Sequence, residues 1–395
     1  MTSDSNKSLT LRNARAVLPD RVVANCIIEV LDGRIARIAE SSVDKASDET
    51  SIDLSGLTIF SGFIDVHIHG AIGVDVNSAD AAGLLRVSEF LATKGVTAWL
   101  PTLVPGPIEQ YKRAIAAISE VMQQQREDAI GGARVLGVHY EGPFVSNEQC
   151  GALHREHFRT FKSSADLDSL PIIAHEGSVH MITVAPEIDG GIELIRELHQ
   201  RGWVISVGHT RATPQVLDQA KEAGAKHMTH FMNAMSPLHH RAPGPVGWGL
   251  LNDDVSLDVI ADGIHLDPMM LKVLLRTVAP NRLALISDAI AATGLGDGDY
   301  EIWGEKIRVE NGRTSNDRGS IAGSVITMVD AVRMMSSLGA SEIDVARMGA
   351  LNLARLLQID HECGSIEEGK RGDVVALNNS GHVQFTVVNG ALARP

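Results

Sequence analysis

The chain is poor in cysteine, in aromatics and in positive charge. Cysteine occurs three times in 395 residues, at Cys26, Cys150 and Cys363. An odd number so widely spaced makes neither a disulfide framework nor a paired-cysteine metal knuckle. A chain of this length needs no such staples, because folding buries most of the surface that its unfolded form exposes. Aromatics amount to 4%, which leaves the core to valine, isoleucine, leucine and alanine. Lys and Arg number 35 against 49 Asp and Glu, for a net charge of −14. Nucleic-acid affinity rests on basic side chains neutralising phosphates. No basic run or basic aromatic patch offsets the deficit, so nucleic acid is excluded as a partner. A small anion in a local pocket remains compatible. No run reaches the roughly 18 consecutive apolar residues of a membrane span, and no membrane partner is expected. The opening segment, MTSDSNKSLT, has no apolar signal-peptide core, so the expected location is cytoplasmic. At 44% apolar and 21% charged, the composition is that of a globular protein and excludes disorder and collagen-like repeats. What is plentiful is glycine, with 37 copies, and above all histidine, with 16. Many of the histidines stand at the ends of apolar runs.

The two ends of the chain share a texture of short β segments. Ser8–Val17, Cys26–Val30, Arg34–Ala39 and Ile52–Phe60 read as extended near the start, with Asp32-Gly33 as a hairpin turn. Gly372–Leu377 and Gln384–Val388, parted by Asn378-Asn379-Ser380-Gly381, read the same way near the end. One small β-sandwich built from residues 1–60 and 365–395 is expected; two unrelated peripheral hairpins are the alternative. Between them the rhythm changes to short β-branched runs alternating with helical stretches, the pattern of βα units around a parallel sheet. The strand candidates are Phe63–His67, Thr97–Leu103, Val135–His139, Met181–Val184, Val204–Val207, His227–Thr229, Leu257–Ile260 and Leu283–Ile286. Helices are expected at Ala81–Lys94, Ile108–Gln125, Ile192–Gln200, Pro214–Ala223 and Pro268–Val278, with more to about residue 357. Eight strands over residues 61–364 count out an α/β fold, a TIM-like (β/α)8 barrel. A doubly wound open sheet is the runner-up, but no glycine-rich dinucleotide fingerprint follows the first strand.

Active sites of such barrels lie at the C-terminal ends of the strands, so the residues after each run carry the argument. Strand one ends in His67-Ile68-His69 and strand three in His139-Tyr140-Glu141-Gly142-Pro143. Strands five and six run into Gly208-His209-Thr210 and Thr229-His230-Phe231, and strand seven into Asp262-Gly263-Ile264-His265. Strand eight is followed by Ser287-Asp288-Ala289. In extended backbone His67 and His69 point to the same side, and imidazoles with carboxylates suit zinc and related divalent ions. An isolated His-x-His pair is weak, but here it is matched by His209, His230 and Asp288 on later strands. Glu141 fits a ligand or bridge, and its bland reading is a salt-bridged rim residue. Asp288 reads as general base, a plain ligand or an N-cap. Arg241 reads as a phosphate fork or as a solvated loop residue. His175, His180, His199 and His227 read as surface or packing residues.

Taken with their order, these segments resemble the N-acetylglucosamine-6-phosphate deacetylases of the amidohydrolase superfamily. The resemblance is carried by Gly62-Phe63-Ile64-Asp65-Val66-His67-Ile68-His69-Gly70, His139-Tyr140-Glu141-Gly142-Pro143-Phe144 and Gly208-His209-Thr210. It continues through Thr229-His230-Phe231-Met232-Asn233-Ala234-Met235, Pro237-Leu238-His239-His240-Arg241 and Ala261-Asp262-Gly263-Ile264-His265. Ile286-Ser287-Asp288-Ala289 and Ile321-Ala322-Gly323-Ser324 complete it. It implies that Glu141, His209 and His230 hold a main divalent ion, with zinc first and iron, manganese or cobalt as alternatives. His67 and His69 match the pair holding a second ion in some members. Asp288 matches the catalytic acid–base, itself a ligand position. Ala152, Asn233, Ala234, Arg241, His265, Ile321, Ala322 and Gly323 match substrate-binding positions, with Asn233, Ala234 and Arg241 on the phosphate. In the family that arginine can come from a partner subunit, which implies a homodimer. The implied reaction is hydrolysis of the acetamide of a small phosphorylated amino sugar, N-acetylglucosamine 6-phosphate.

Two positions depart from the family. After Gly151-Ala152 the family has a histidine, where this chain has Leu153 followed by His154; after Arg241 an acidic residue is common, where this chain has Ala242. These departures bear on the substrate and leave the metal chemistry untouched. The alternatives are deacylation of another N-acyl amino sugar such as N-acetylgalactosamine 6-phosphate, another small amide, or an inactive scaffold. Glu141 stands where cyclic-amide members carry a carboxylated lysine, which disfavours that branch, and retention of every ligand disfavours the scaffold.

Overall fold

The computed structural model describes residues 8–40, 51–127 and 132–393. The outermost parts of the expected terminal module, 1–7 and 394–395, and its stretch 41–50 lie outside these. Eight parallel strands form a nearly closed barrel in chain order: Phe63–Ile68, Val96–Leu103, Gly137–Glu141, Val179–Val184, Val204–Val207, His227–Met228, Ser256–Ile260 and Leu283–Ile286. The first strand pairs with the second, and each of the others with the next. Several strands are buried along their whole length, as expected for parallel strands covered on both faces. The last strand returns to the first just beyond its end. There the Asp288 amide donates to the His67 carbonyl at 2.9 Å and the His69 amide to the Ala289 carbonyl at 2.7 Å. The seam that closes the barrel thus sets a carboxylate beside the paired histidines.

The covering helices follow local capping rules. Ala81–Thr93 starts on Asp80, whose carboxylate accepts from the Gly83 amide. Pro214–Ala223 starts on Thr213 with proline in its first turn and stops at Gly224, φ 124°. Pro268–Thr277 starts on Asp267. The helices expected late in the chain are Met328–Ser337, Glu342–Ala346 and Asn352–Leu356, with a π-type turn at Arg347–Leu351.

Strands from both ends form one further sheet, in the order Ala391–Ala393, Val383–Val388, Val374–Leu377, Thr58–Ser61, Ser8–Val17, Val22–Leu31, Arg34–Glu40, with Ser51–Asp53 beside Ser8–Val17. Thr58–Ser61 joins the two ends by antiparallel pairing with Val374–Leu377. The sheet has its own apolar core, including Leu11, Ile28, Ile59 and Val374, distinct from that of the barrel.

Some expectations are corrected. Ile52–Phe60 is two strands: the Asp53 carboxylate accepts from the Ser55 amide at 3.0 Å and Gly56 adopts φ 82°, which turns the chain between them. Strand six stops at Met228, one residue short, and the backbone turns at His230, φ 30°. A short helix, Gly244–Leu251, and a three-stranded meander of Gly298–Ile302, Glu305–Glu310 and Arg313–Asn316 were not expected. The meander strands carry many charged residues on exposed faces, which hides their period. Among the described residues, no helix is long and apolar enough to cross a membrane.

Candidate metal centre and active site

At the C-terminal mouth of the barrel the four predicted imidazoles converge through their Nε2 atoms. The Nδ1 atoms of His69, His209 and His230 face the carbonyls of Thr102, Gln149 and Asn233 at 3.1, 2.7 and 3.2 Å. A carbonyl only accepts, so in each neutral ring Nδ1 carries the proton and Nε2 is left as a lone pair. His67 Nδ1 lies 3.0 Å from the Thr229 hydroxyl. His67 and His69 bring their Nε2 atoms within 3.2 Å of one another, and His209 and His230 theirs within 3.1 Å. Lone pairs facing at such distances repel unless a cation or proton lies between them.

Two carboxylates enter the same space. Glu141 Oε1 is 2.9 Å from His209 Nε2, 3.0 Å from His230 Nε2 and 3.5 Å from His67 Nε2, while its Oε2 is 3.4 Å from His69 Nε2. Asp288 Oδ1 is 3.1 Å from His69 and 3.5 Å from His67. Two overlapping trios result, His67–His69–Glu141 and Glu141–His209–His230, with the ligand atoms of each within 4.8 Å of one another. Ligands around a tetrahedral zinc stand about 3.3 Å apart, given bonds near 2.0–2.2 Å. The donor chemistry and these spacings therefore fit a divalent ion, with Glu141 shared between two positions.

Electrostatics agree with that reading. Burial pushes the Glu141 carboxyl up, but His67 and hydrogen bonds from His209 and His230 hold it well below the usual range. Asp288 is likewise raised by burial and lowered further by His67 and His69, so it stays ionised. Burial disfavours the His230 imidazolium, yet the Glu141 carboxylate beside it pushes its pKa up to about 9. Buried carboxylates among imidazoles thus draw in positive charge, and protons supply it when no ion is bound.

A cavity of about 290 Å³ opens on this cluster. His69, Glu141, His209, His230 and Asp288 reach it; Ala152, Leu153, Asn233, Ala234, His265, Ile321 and Gly323 also line it. His67 lies fully buried behind this surface, as does Ala322. Asn233 Nδ2 is buried with no hydrogen-bond partner. His265 is fixed by the Asp262 carboxylate, 2.7 Å from its Nδ1. Two predicted residues are not brought in. Arg241 sits on an exposed loop outside the cavity of its own chain. His154 turns toward Glu156 and Glu305, at 3.2 and 3.6 Å, leaving Leu153 on the wall.

Several residues around the site carry no signal in the sequence pattern. Asp258 is fully buried, accepts from the His230 amide and pairs with His227 Nε2 at 2.7 Å. Asp65 accepts from Ser287, and burial raises its pKa to about 6. Trp303, Ile260 and Ser320 complete the cavity wall. The Asp of Gly62–Gly70 was in plain view but lies within an apolar run. Trp303 belongs to the unexpected meander. His139 is a core residue, held by the Val66 carbonyl at 2.9 Å and the Thr183 hydroxyl at 2.8 Å, with burial driving its pKa well down. His209, His230, Ala234 and Asp288 all have left-handed backbone, φ 48°, 30°, 49° and 50°, a strain that concentrates at functional sites.

The family model for the amidohydrolase family matches residues 58–393. Among curated proteins, the N-acetylglucosamine-6-phosphate deacetylase of Bacillus subtilis (strain 168) is 34% identical over 391 residues, covering 98% of this chain and 97% of that protein. The N-acetylgalactosamine-6-phosphate deacetylase of Escherichia coli O157:H7 is 35% identical, covering 93% and 94%. Among solved structures, N-acetylglucosamine-6-phosphate deacetylase from Pasteurella multocida superposes with a TM-score of 0.89 at 30% identity, over 98% of this chain and 99% of that one.

Proposed function

Because the chain belongs to the amidohydrolase family, we propose that it is a metal-dependent deacetylase that hydrolyses N-acetylglucosamine 6-phosphate to glucosamine 6-phosphate and acetate. One observation carries this reading: three imidazoles and two ionised carboxylates converge on the wall of a cavity sized for a small molecule, with the His67 imidazole buried just behind them. Glu141, His209 and His230 would hold the main ion and His67 and His69, with Glu141, a second; zinc fits this donor set first, with iron, manganese or cobalt as alternatives. A bound ion supplies Lewis-acid polarisation of the amide carbonyl and acidifies an attacking water toward a pKa of about 7.

The remaining steps belong to the chain's own residues. Asp288 is ionised and reaches the cavity beside His69. It takes a proton from the water whose oxygen bonds to the acetyl carbon. It then gives that proton to the amide nitrogen, so that the C–N bond breaks to release a neutral amine instead of an amide anion. Asn233, with its unpartnered amide, and Ala234 would receive the phosphate, and His265, Ile321 and Gly323 the sugar. Arg241, exposed on its loop, would complete the phosphate site of a second copy, which makes a homodimer the functional unit.

Acetate release from N-acetylglucosamine 6-phosphate, its galactose epimer and the unphosphorylated sugar by zinc-loaded protein tests these roles. Preferential turnover of the first is expected. A faster galactose epimer would move the assignment toward the activity named for the Escherichia coli relative. Equal rates with and without phosphate would remove Asn233 and Arg241 from their roles. No turnover of any of them with metal bound would overturn the proposal.

A further inference from the structure

We propose that Leu153 and Trp303 form an acyl subsite that limits the acyl group of the substrate to the length of acetyl. The inference rests on the reading above that the cavity takes an N-acyl amino sugar phosphate.

The cavity lining has two chemically unlike parts, which meet different histidines of the cluster. One part carries Asn233, with its free buried amide and its carbonyl 3.2 Å from His230 Nδ1, and His265. The other carries Leu153 and Trp303, and Leu153 is only 3% exposed in an apolar cluster with Val104 and Val145, against which Phe158 and Trp303 pack. The Trp303 indole meets the His69 ring edge-on, with centroids 5.2 Å apart, so this apolar part abuts the ligands themselves. Its Nε1–H is already given to Asp75 at 3.2 Å, which leaves only carbon to face the cavity. An amide carbon attacked at the cluster has two substituents. The sugar nitrogen leads to hydroxyls and phosphate, which match the polar part. The acyl carbons then match Leu153 and Trp303, the apolar part that abuts His69.

This wall is closed and braced. Arg318 Nη2 donates to the Ala152 carbonyl at 2.9 Å and pairs with Glu305 at 3.2 Å, tying the Leu153 loop to the meander that bears Trp303. Trp303 itself occupies a hairpin tip at φ 55°, a left-handed conformation costly for a bulky side chain and easy for glycine. A strained tryptophan held over a reactive centre by its surroundings has the character of a functional residue. It caps the part where each added methylene would have to go.

The test compares kcat/KM for the N-acetyl, N-propionyl and N-butyryl derivatives of glucosamine 6-phosphate in the wild type, Trp303→Gly and Leu153→Ala. One misplaced methylene in an apolar pocket is worth about 10–200-fold, so the wild type should lose at least about tenfold per carbon added. Trp303→Gly, whose residue suits the turn, should shrink the acetyl-to-butyryl ratio by about tenfold or more at unchanged metal content. Leu153→Ala should shift the ratio the same way by less, and it carries the test alone if Trp303→Gly is unfolded by circular dichroism. A wild type that turns over butyryl and acetyl substrates equally, or folded variants that keep the wild-type ratio, would overturn the subsite. Release from none of the three acyl sugars with metal bound would instead overturn the reaction on which it rests.

Discussion

The core of the terminal sheet runs from Leu11 and Ala14 through Ile28 and Ile59 to Val374 and Val387 and is mainly aliphatic, with Ser61, Asp373 and Thr386 buried at its edges. The mouth of the barrel buries His67, His69, Glu141, His209, His230 and Asp288 just as deeply. Burial in the first removes carbon from water and contributes stability in proportion to area. Burial in the second strips water from groups whose charged forms are costly to desolvate unless paired or bound to metal. The barrel accepts that cost, together with left-handed backbone at His209, His230 and Asp288. In the sheet that joins the two ends of the chain, left-handed backbone falls on Asn13, Asn25, Asp32 and Asn389, residue types that tolerate it, and the buried Asp373 is paired with Arg371 at 3.1 Å. Stability and chemistry are therefore segregated, and perturbations of the two regions should have opposite signatures.

The sharpest break in that comparison is Asp288→Asn. It removes the proton carrier while leaving an isosteric side chain, so kcat should fall by about 10²–10⁴ with metal content and melting temperature nearly unchanged. A near-normal kcat would remove Asp288 as acid–base. A second difference appears with pH. In the metal-free protein His230 has its pKa pushed up to about 9, above its ordinary value near 6.5. The stabilisation it gives as imidazolium is complete below about pH 6.5 and disappears as pH rises through about 9. Ion binding needs the neutral ring, so metal affinity should rise over the same interval. Thermal scans of stripped and zinc-loaded protein from pH 6 to 10 should diverge, and parallel curves would contradict this. Next in size, Asp258→Asn loosens the His230 amide, and chelator competition should show a 10–100-fold loss of metal affinity, the usual range for such supporting partners. Ile59→Val, in the sheet, should cost only about 0.5–1.5 kcal/mol of stability in denaturant unfolding and leave kcat and metal content alone.

The barrel was legible because its parallel strands are buried on both faces and read as apolar runs, each followed by a polar residue at the mouth. Phe63 to His67 and Leu283 to Ile286 illustrate this, with His67 and Glu141 at the ends of their strands and Asp288 two residues beyond the last. The terminal sheet was legible from its hairpin at Asp32-Gly33, but Ile52–Phe60 hid a turn made by a side chain, Asp53, that no period reveals. The supporting residues were harder. Asp258 and Asp65 interrupt apolar strands and gain meaning only from partners far along the chain, His230 and Ser287. Trp303 lay in a meander whose strands show too many charges to stand out, and the exposure of Arg241 depends on how its loop leaves the barrel.

The central claim is that the facing Nε2 atoms and Glu141 share a divalent ion. Anomalous diffraction at the zinc edge from crystals of the zinc-loaded protein tests it most directly. A peak within coordination distance of Glu141, His209 and His230 is the predicted result. Stoichiometric zinc with no peak among those three side chains would contradict it.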